Sequence, residues 1–432
     1  MVSDFMVFVR KSPTAFHTVD EIIRILRRHG FEALSEREAW QLNPGGRYYV
    51  TRNRSSIIAF TLPENGFSHF QIVASHSDSP MFKLKPGAED VVQGKYIRLN
   101  TERYGGMIMS SWFDRPLSIA GRLMVRENGR IVTHLVDLAR DAALIPNMPI
   151  HFNRDVNDGY KYNAQCDTLP LYASGSEPGR LRQDLAKAAG VKPTHIVSAD
   201  LYLYNRTSGS VWGADDAFFS SPRIDDLECA WSSMQGFLRA ESGSHVNMMA
   251  VFDNEEVGSS TKQGADSSFL TDVLSRAASA MGLSDSETRA AIAGSFMVSA
   301  DNAHAVHPNH PEKFDAQNRT FMNEGVVIKH NANQKYTTDA VSCAVFSDIC
   351  AAAGVPVQHF ANRSDVLGGS TLGNVANTHA SMNTVDIGLA QLAMHSSYET
   401  AGTRDLSYMV DALTAFYATD IRVLADGVIE MD

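Results

Sequence analysis

Apolar residues first recur at helical spacing near the start of the chain. Ile22, Ile23, Ile25 and Leu26 share a stripe that Gly30 closes. Thr18, followed three residues on by Glu21, has the form of a capping box and predicts a helix opening at Thr18. Runs at 47–52 and 56–62 flank Asn53-Arg54 and predict a hairpin, and 69–74 predicts a buried strand ending at Ser75-His76. From about residue 95 to 206 the strand signals are short and separated by turns. Segments 118–125 and 131–138, joined through Glu127-Asn128-Gly129, predict a second hairpin, and 201–204 continues the β character around a polar, irregular stretch at 153–165. After about Ser220 the texture becomes alternating. Helices are predicted over 226–239, 269–281, 338–353 and 403–418, with strands at Val246–Phe252, Phe296–Ala300, 356–360 and 385–389. Strands alternating with helices imply a sheet covered on both faces. The expected fold class is therefore α/β: a mixed, mainly parallel sheet assembled from 1–88 and 209–432, interrupted by a β-rich insertion over 89–208.

Composition narrows the functions this fold could serve. Of 432 residues, 44% are hydrophobic and 20% charged, and the formal net charge is −11, which is the wrong sign for a nucleic-acid or anionic-membrane surface. No apolar run reaches the length of a membrane span, and the first ten residues lack the pattern of a signal peptide. The four cysteines, Cys166, Cys229, Cys343 and Cys350, form no CxxC pair. A disulfide framework and a thiolate zinc knuckle are not expected, and a reducing cytoplasm is.

Ligands of an open α/β sheet sit beyond the carboxyl ends of its strands, so the residues that follow each strand carry the information. There the chain places His76 and Asp78, Glu255-Glu256, Asp301 and His395, while Asp225-Asp226 stands at the start of a helix. Singly, each has an ordinary reading as a surface pair, a helix cap or a core histidine. Together, two histidines and three carboxylates suit two hydrolytic metal ions. Zn²⁺ accepts imidazole nitrogen and carboxylate oxygen, and two ions about 3.5–4 Å apart need a shared carboxylate between them. Asp225 is the candidate bridge, with His76 and Asp301 on one ion and Glu256 and His395 on the other. Asp78 would accept the second N–H of His76 and fix its tautomer. Glu255, left over beside the ions, suits a general base that takes a proton from the attacking water and delivers it to the leaving amine. Zinc is the first expectation for the two divalent ions; cobalt and manganese tolerate the same donors.

These motifs, Ala74-Ser75-His76-Ser77-Asp78-Ser79-Pro80, Pro222-Arg223-Ile224-Asp225-Asp226-Leu227, Asn254-Glu255-Glu256-Val257-Gly258-Ser259, Ser299-Ala300-Asp301-Asn302-Ala303-His304 and Leu392-Ala393-Met394-His395-Ser396, resemble in order those of the aspartyl aminopeptidases, a metallopeptidase family. The resemblance spans almost the whole chain. Ser77 and Asp226 depart from it, where the family more often has Thr and Asn. It implies a zinc-exopeptidase-like fold, the ligand roles above, and release of N-terminal, preferably acidic, residues from peptides. It also implies a dimerisation or lid role for the middle domain and a tetrahedral homododecamer built from dimers. By the same resemblance Lys329 is the positive element for an acidic side chain. His151, in Ile150-His151-Phe152, would reach a neighbouring subunit's active site and stabilise the tetrahedral intermediate. Tyr336 would line the pocket. The stretch Gly368-Gly369-Ser370-Thr371-Leu372-Gly373 lacks the ending of a phosphate loop, and Gly369 would let backbone approach substrate. His304, His307 and His310 are read as a loop or subunit contact. A dimetal N-acyl amino-acid deacylase and a non-catalytic scaffold assembly are the alternatives to a peptidase.

Overall fold

The computed structural model describes residues 1–241 and 243–432. A nine-stranded sheet runs in the order Glu32–Leu34, Arg47–Arg52, Ser56–Thr61, Val246–Phe252, Phe70–His76, Phe296–Ala300, Asn383–Gly388, Val326–His330 and Val357–Ala361. Its four central strands, Val246–Phe252 to Asn383–Gly388, are mutually parallel, as are the two outermost pairs. The other neighbours are antiparallel, so the sheet is mixed and mainly parallel.

The continuous apolar character of these strands follows from burial on both faces. Val73, Met249 and Val251 face a cluster formed with helices Val2–Lys11, Ala15–Arg28, Ile224–Arg239, Ala340–Ala352 and Asp405–Ala418. Their alternates Phe70, Ile72, Met248, Ala250 and Phe252 face a second cluster with helices Phe269–Ala280 and Leu372–Asn377. Each of the larger of these side chains, removed from water, contributes about 1.5–3 kcal/mol, enough to impose the register of strands that lie far apart in sequence.

A six-stranded antiparallel sheet contains Met81–Val92, Tyr96–Tyr104, Leu117–Glu127, Arg130–Asp137, Leu171–Ser174 and Ile196–Asn205. The expected domain junction at 88/89 falls inside Met81–Val92, and the chain changes sheets at Ser77–Pro80, directly after His76. A third, five-stranded sheet joins Ser210–Trp212, Phe218–Ser221, Glu399–Gly402, Ala390–Leu392 and Ala303–His304.

Local differences from the sequence reading have local causes. The helix expected at Thr18 begins at Ala15, because Thr14 is the extended residue before it. Thr18 is buried in the second turn and donates to the Thr14 carbonyl at 3.1 Å. Glu21 accepts from Lys11 at 3.3 Å and pairs with Arg24 instead of capping. The insertion also contains a helix, Arg180–Ala189, whose Leu181, Leu185 and Ala186 pack on its sheet. Among the described residues no helix is long and apolar enough to cross a membrane.

Candidate metal centre

Five elements meet at one place. His76 closes the central strand Phe70–His76, Asp301 follows Phe296–Ala300, and Glu255 and Glu256 sit on the short turn Glu255–Val257 after Val246–Phe252. Asp225 lies at the kinked start of helix Ile224–Arg239, where Asp225 and Asp226 leave helical geometry and their shared peptide is cis. His395 has left-handed backbone (φ 66°) just beyond the strand Ala390–Leu392.

Asp225 is the hub. Its Oδ1 lies 3.5 Å from His76 Nε2, and its Oδ2 lies 3.3 Å from His395 Nε2. Glu256 Oε2 is 3.4 Å from the same His395 nitrogen. Two donor groups result: His76, Asp225, Asp226 and Asp301, all buried, and Asp225, Glu256 and His395. All five expected ligands are thus brought together, and Asp226 joins the first group. Its Oδ2 accepts the His76 backbone N–H at 3.0 Å and lies 3.9 Å from His76 Nε2.

The supports around these donors are specific. His76 Nδ1 is 3.1 Å from the Asp78 main-chain carbonyl and 3.4 Å from its Oδ1, so the nearer acceptor for that ring is backbone. The Asp78 carboxylate also accepts from the Glu255 and Glu256 N–H groups, each at 3.2 Å, and from the Tyr104 hydroxyl at 2.6 Å. Ser79 Oγ donates to the Asp225 carbonyl at 2.7 Å. Tyr104 closes the strand Tyr96–Tyr104 of the six-stranded sheet, and the glycines follow it. A Cβ at Gly105 would lie 3.1 Å from Glu256 Cβ, and Ile108 N–H donates to the His395 carbonyl at 3.1 Å. The segment Tyr104 to Ile108, leaving the six-stranded sheet, therefore forms one wall of the centre.

The charge balance asks for cations. Burial disfavours the ionised form of Glu256, and the neighbouring Asp225 charge raises it further above the usual carboxylate range. Burial acts the same way on Asp225, but the His395 and His76 imidazoles beside it outweigh it and hold Asp225 well below that range. Asp225 Oδ1, Asp226 Oδ1 and Glu256 Oε1 are buried without a hydrogen-bond partner among the described residues. Orphaned carboxylate oxygens beside imidazole nitrogens are the donor set that divalent zinc takes, so the residues fit the group.

Sequence reasoning missed Glu399. This fully buried carboxylate accepts from Ile224 N–H at 2.6 Å, Asp225 N–H at 3.2 Å and His395 N–H at 2.8 Å, clamping the hub to its histidine. Gln391 Nε2 is 3.4 Å away. No spacing rule marks such a residue, because its partners are backbone amides. Glu399→Gln puts an NH₂ against N–H donors, and metal affinity should fall about 10–100-fold, read by competition with a chelator. Unchanged affinity would reduce Glu399 to a packing residue.

The remaining candidates are distributed differently. Lys329 is buried within the strand Val326–His330. Its ammonium donates to the Asp301 carbonyl at 2.8 Å, lies 3.9 Å from Asp301 Oδ1, and sits 5.2 Å over the buried Tyr336 ring. Gly369 is exposed, and a Cβ there would meet nothing within 4 Å. At Gly373 a Cβ would lie 2.6 Å from Ser299, so a side chain there would clash with the strand Phe296–Ala300. His151 is exposed on the turn Ile150–Phe152 of the insertion and makes no hydrogen bond or ion pair with the donor groups. His304, His307 and His310 form no common ligand set among the described residues.

With this geometry in view, the chain can be set beside known proteins. A family model described as aminopeptidase I zinc metalloprotease (M18) matches residues 8–417. The chain is 45% identical over 419 residues to a "Probable M18 family aminopeptidase 2" of Clostridium acetobutylicum, covering 95% of this chain and 96% of that protein. It is 40% identical over 421 residues to a protein of the same description from Pseudomonas aeruginosa strain UCBPP-PA14, with 95% and 96% covered. The cryo-EM structure of the Ape4 and Nbr1 complex superposes with a TM-score of 0.93 at 36% identity, over 96% of this chain and 85% of that one. The structure of the S. cerevisiae mApe1 dodecamer gives 0.85 at 29% identity, over 96% and 95%.

Proposed function

The chain belongs to the M18 family of zinc aminopeptidases, and from that premise we propose that it is a dinuclear enzyme releasing acidic residues, Asp or Glu, from peptide N-termini. The observation that carries the dinuclear reading is the divided carboxylate of Asp225, with one oxygen toward His76 and the other toward His395. His76, Asp301 and Asp225 would hold one cation, and Glu256, His395 and Asp225 the other. Two such cations, zinc first and cobalt or manganese by the same donors, supply Lewis acidity at the scissile carbonyl and acidify the attacking water.

The protein's own groups do the rest. Asp78 holds the His76 ring and the turn that presents Glu255. Burial pushes the Glu255 carboxyl up to about 8; the His76 charge opposes this, and Asp301, Asp78 and Asp225 reinforce it. Positive charge bound alongside acts in the opposite direction, which leaves Glu255 able to take a proton from water and return it to the leaving amine. Lys329 and Tyr336 flank Asp301 and would receive the acidic side chain, and Gly369 would let backbone approach the substrate.

Self-association goes with this reading. His151 would act in the centre of a neighbouring subunit, donating to the oxyanion. It is carried on a turn whose Ile150 and Phe152 are 48% and 83% exposed, with the nearby Met148 58% exposed, an apolar surface suited to a partner copy. The solved mApe1 assembly is a dodecamer, and we extend that state, as a tetrahedral arrangement of dimers joined through the inserted domain, to this chain. A cytoplasmic setting goes with four cysteines that are all free.

The test compares free and blocked amines. Asp-anilide should be cleaved and N-acetyl-Asp amide left intact; the reverse would make the enzyme a deacylase. Lys329→Met then examines the acidic preference. Losing a charge-assisted hydrogen bond costs about 1.5–3 kcal/mol, or roughly 10–100-fold in kcat/KM on Asp and Glu substrates, with Leu substrates affected far less. Equal losses on all substrates would make Lys329 a support for Asp301.

A further inference from the structure

At the far end of the nine-stranded sheet, His69 and His245 stand side by side. They immediately precede strands Phe70–His76 and Val246–Phe252, which pair in parallel with Phe70 opposite Val246. Their rings stack at 5.2 Å with an interplanar angle of 28°. Asp420, just past helix Asp405–Ala418, turns one carboxylate oxygen toward both. Asp420 Oδ1 is 3.3 Å from His69 Nε2 and 3.4 Å from His245 Nδ1. The two imidazoles are fully buried and the carboxylate is about a quarter exposed (24%). The strand between His69 and His76 is seven residues long, so this cluster lies roughly 20 Å from the catalytic donors.

The hydrogen-bond inventory leaves a deficit here. His245 Nε2 faces the Tyr417 carbonyl at 3.0 Å and must carry a proton, because a carbonyl has none to give. In a neutral ring Nδ1 is then a lone pair aimed at Asp420 Oδ1, and both atoms are buried without a hydrogen-bond partner among the described residues. His69 Nε2 meets the same oxygen and Gln71 Oε1 at 3.4 Å. That oxygen is already the acceptor of Ile421 N–H at 2.9 Å, while Gln71 Nε2 donates to the Phe416 carbonyl. In the metal-free protein His69 Nε2, facing only acceptors, carries its ring proton, with Ser68 Oγ 3.1 Å from Nδ1, whereas His245 Nδ1 and Asp420 Oδ1 still meet lone pair to lone pair; a cation would take the place of the His69 proton. Arg422 does not fill the gap: its Nε lies 3.5 Å from the other oxygen of Asp420, and its charge is shared with Glu430 and Asp432.

We propose that His69, His245 and Asp420 form a separate divalent-cation site of the zinc class, remote from the dinuclear centre. Four ligands about 2.0–2.1 Å from a tetrahedral zinc stand about 3.3 Å from one another, which matches the edges measured here and those at the catalytic donors. The exposed edge of Asp420 leaves room for a fourth ligand from solvent. A cation there fastens the end of the last helix, and the hairpin Ile421–Ala425 to Val428–Met431 beyond it, to the floor of the sheet. The cluster His330, Cys343 and His359 lacks this deficit, because His330 Nε2 and His359 Nδ1 satisfy each other at 3.0 Å.

The experiment counts metal by difference. Full-length wild type and His245→Asn, each stripped with chelator and dialysed against zinc alone, should differ by about one zinc per chain. Aminoacyl-substrate hydrolysis should be retained in the variant. Asp420→Asn should show the same deficit and decides the matter should the histidine variant not fold. An anomalous-scattering peak at the zinc edge between the two imidazoles should be present in wild type and absent from the variants. Because the difference does not depend on how many ions the catalytic centre holds, it stands or falls apart from the dinuclear reading. Equal zinc content in wild type and variant, with no peak at this position, overturns the site.

Discussion

Glu255→Gln should keep its metal and lose most of its turnover. The replacement is nearly isosteric, and the backbone at 255 stays anchored by its N–H to Asp78 Oδ1. The Glu255 side chain belongs to neither donor group, so metal content should match wild type. What disappears is a group able to accept the proton of the attacking water. General-base catalysis contributes about 10²–10⁴-fold, so kcat should fall by that factor, an activation penalty of about 3–5 kcal/mol. KM should change little, because the amide still fills the space of the carboxyl. Near-normal kcat with full metal would move the base elsewhere. Loss of metal would turn Glu255 into a ligand.

How far such expectations can be drawn from sequence differs by element. His76, Glu255, Glu256 and Asp301 are legible as a converging set because parallel strands with unbroken apolar runs can be placed from sequence, and their carboxyl ends face one way. Asp225 is legible because two acids at a helix start stand out against an otherwise apolar segment. Lys329 is less so. Inside Val326–His330 it follows three apolar residues, and only the antiparallel pairing with Asn383–Gly388 and the ammonium's bond to the Asp301 carbonyl bring it to the centre. Tyr104 and Glu399 leave no trace, since their roles consist of contacts to the Asp78 carboxylate and to backbone amides, which carry no side-chain signature. The Thr18 capping box shows the opposite error: a local motif overridden by Phe16, Thr18 and Val19, whose burial pulls the helix start back to Ala15.

Asp225→Ala should remove both cations together, and this separates a shared ligand from two independent sites. Asp225 is buried and is held by Ser79 Oγ on its carbonyl and by Glu399 on its N–H. The side chain can therefore be deleted with its backbone still tethered. Without it His76 and His395 lose their common acceptor, and two positive ions would face each other across a gap with no negative charge to offset their repulsion. Removing a support that only orients a ligand already costs about 10–100-fold in affinity, so loss of the bridge should cost more, on the order of 10³-fold at both positions. In a zinc titration the wild type should then show two tight catalytic equivalents, and Asp225→Ala neither. His395→Ala should differ, because His76, Asp226 and Asp301 remain grouped with Asp225 and can retain one ion. Retention of one tight catalytic equivalent by Asp225→Ala would mean that one donor group is complete without the hub. Two retained equivalents with activity intact would remove the bridge from the mechanism altogether.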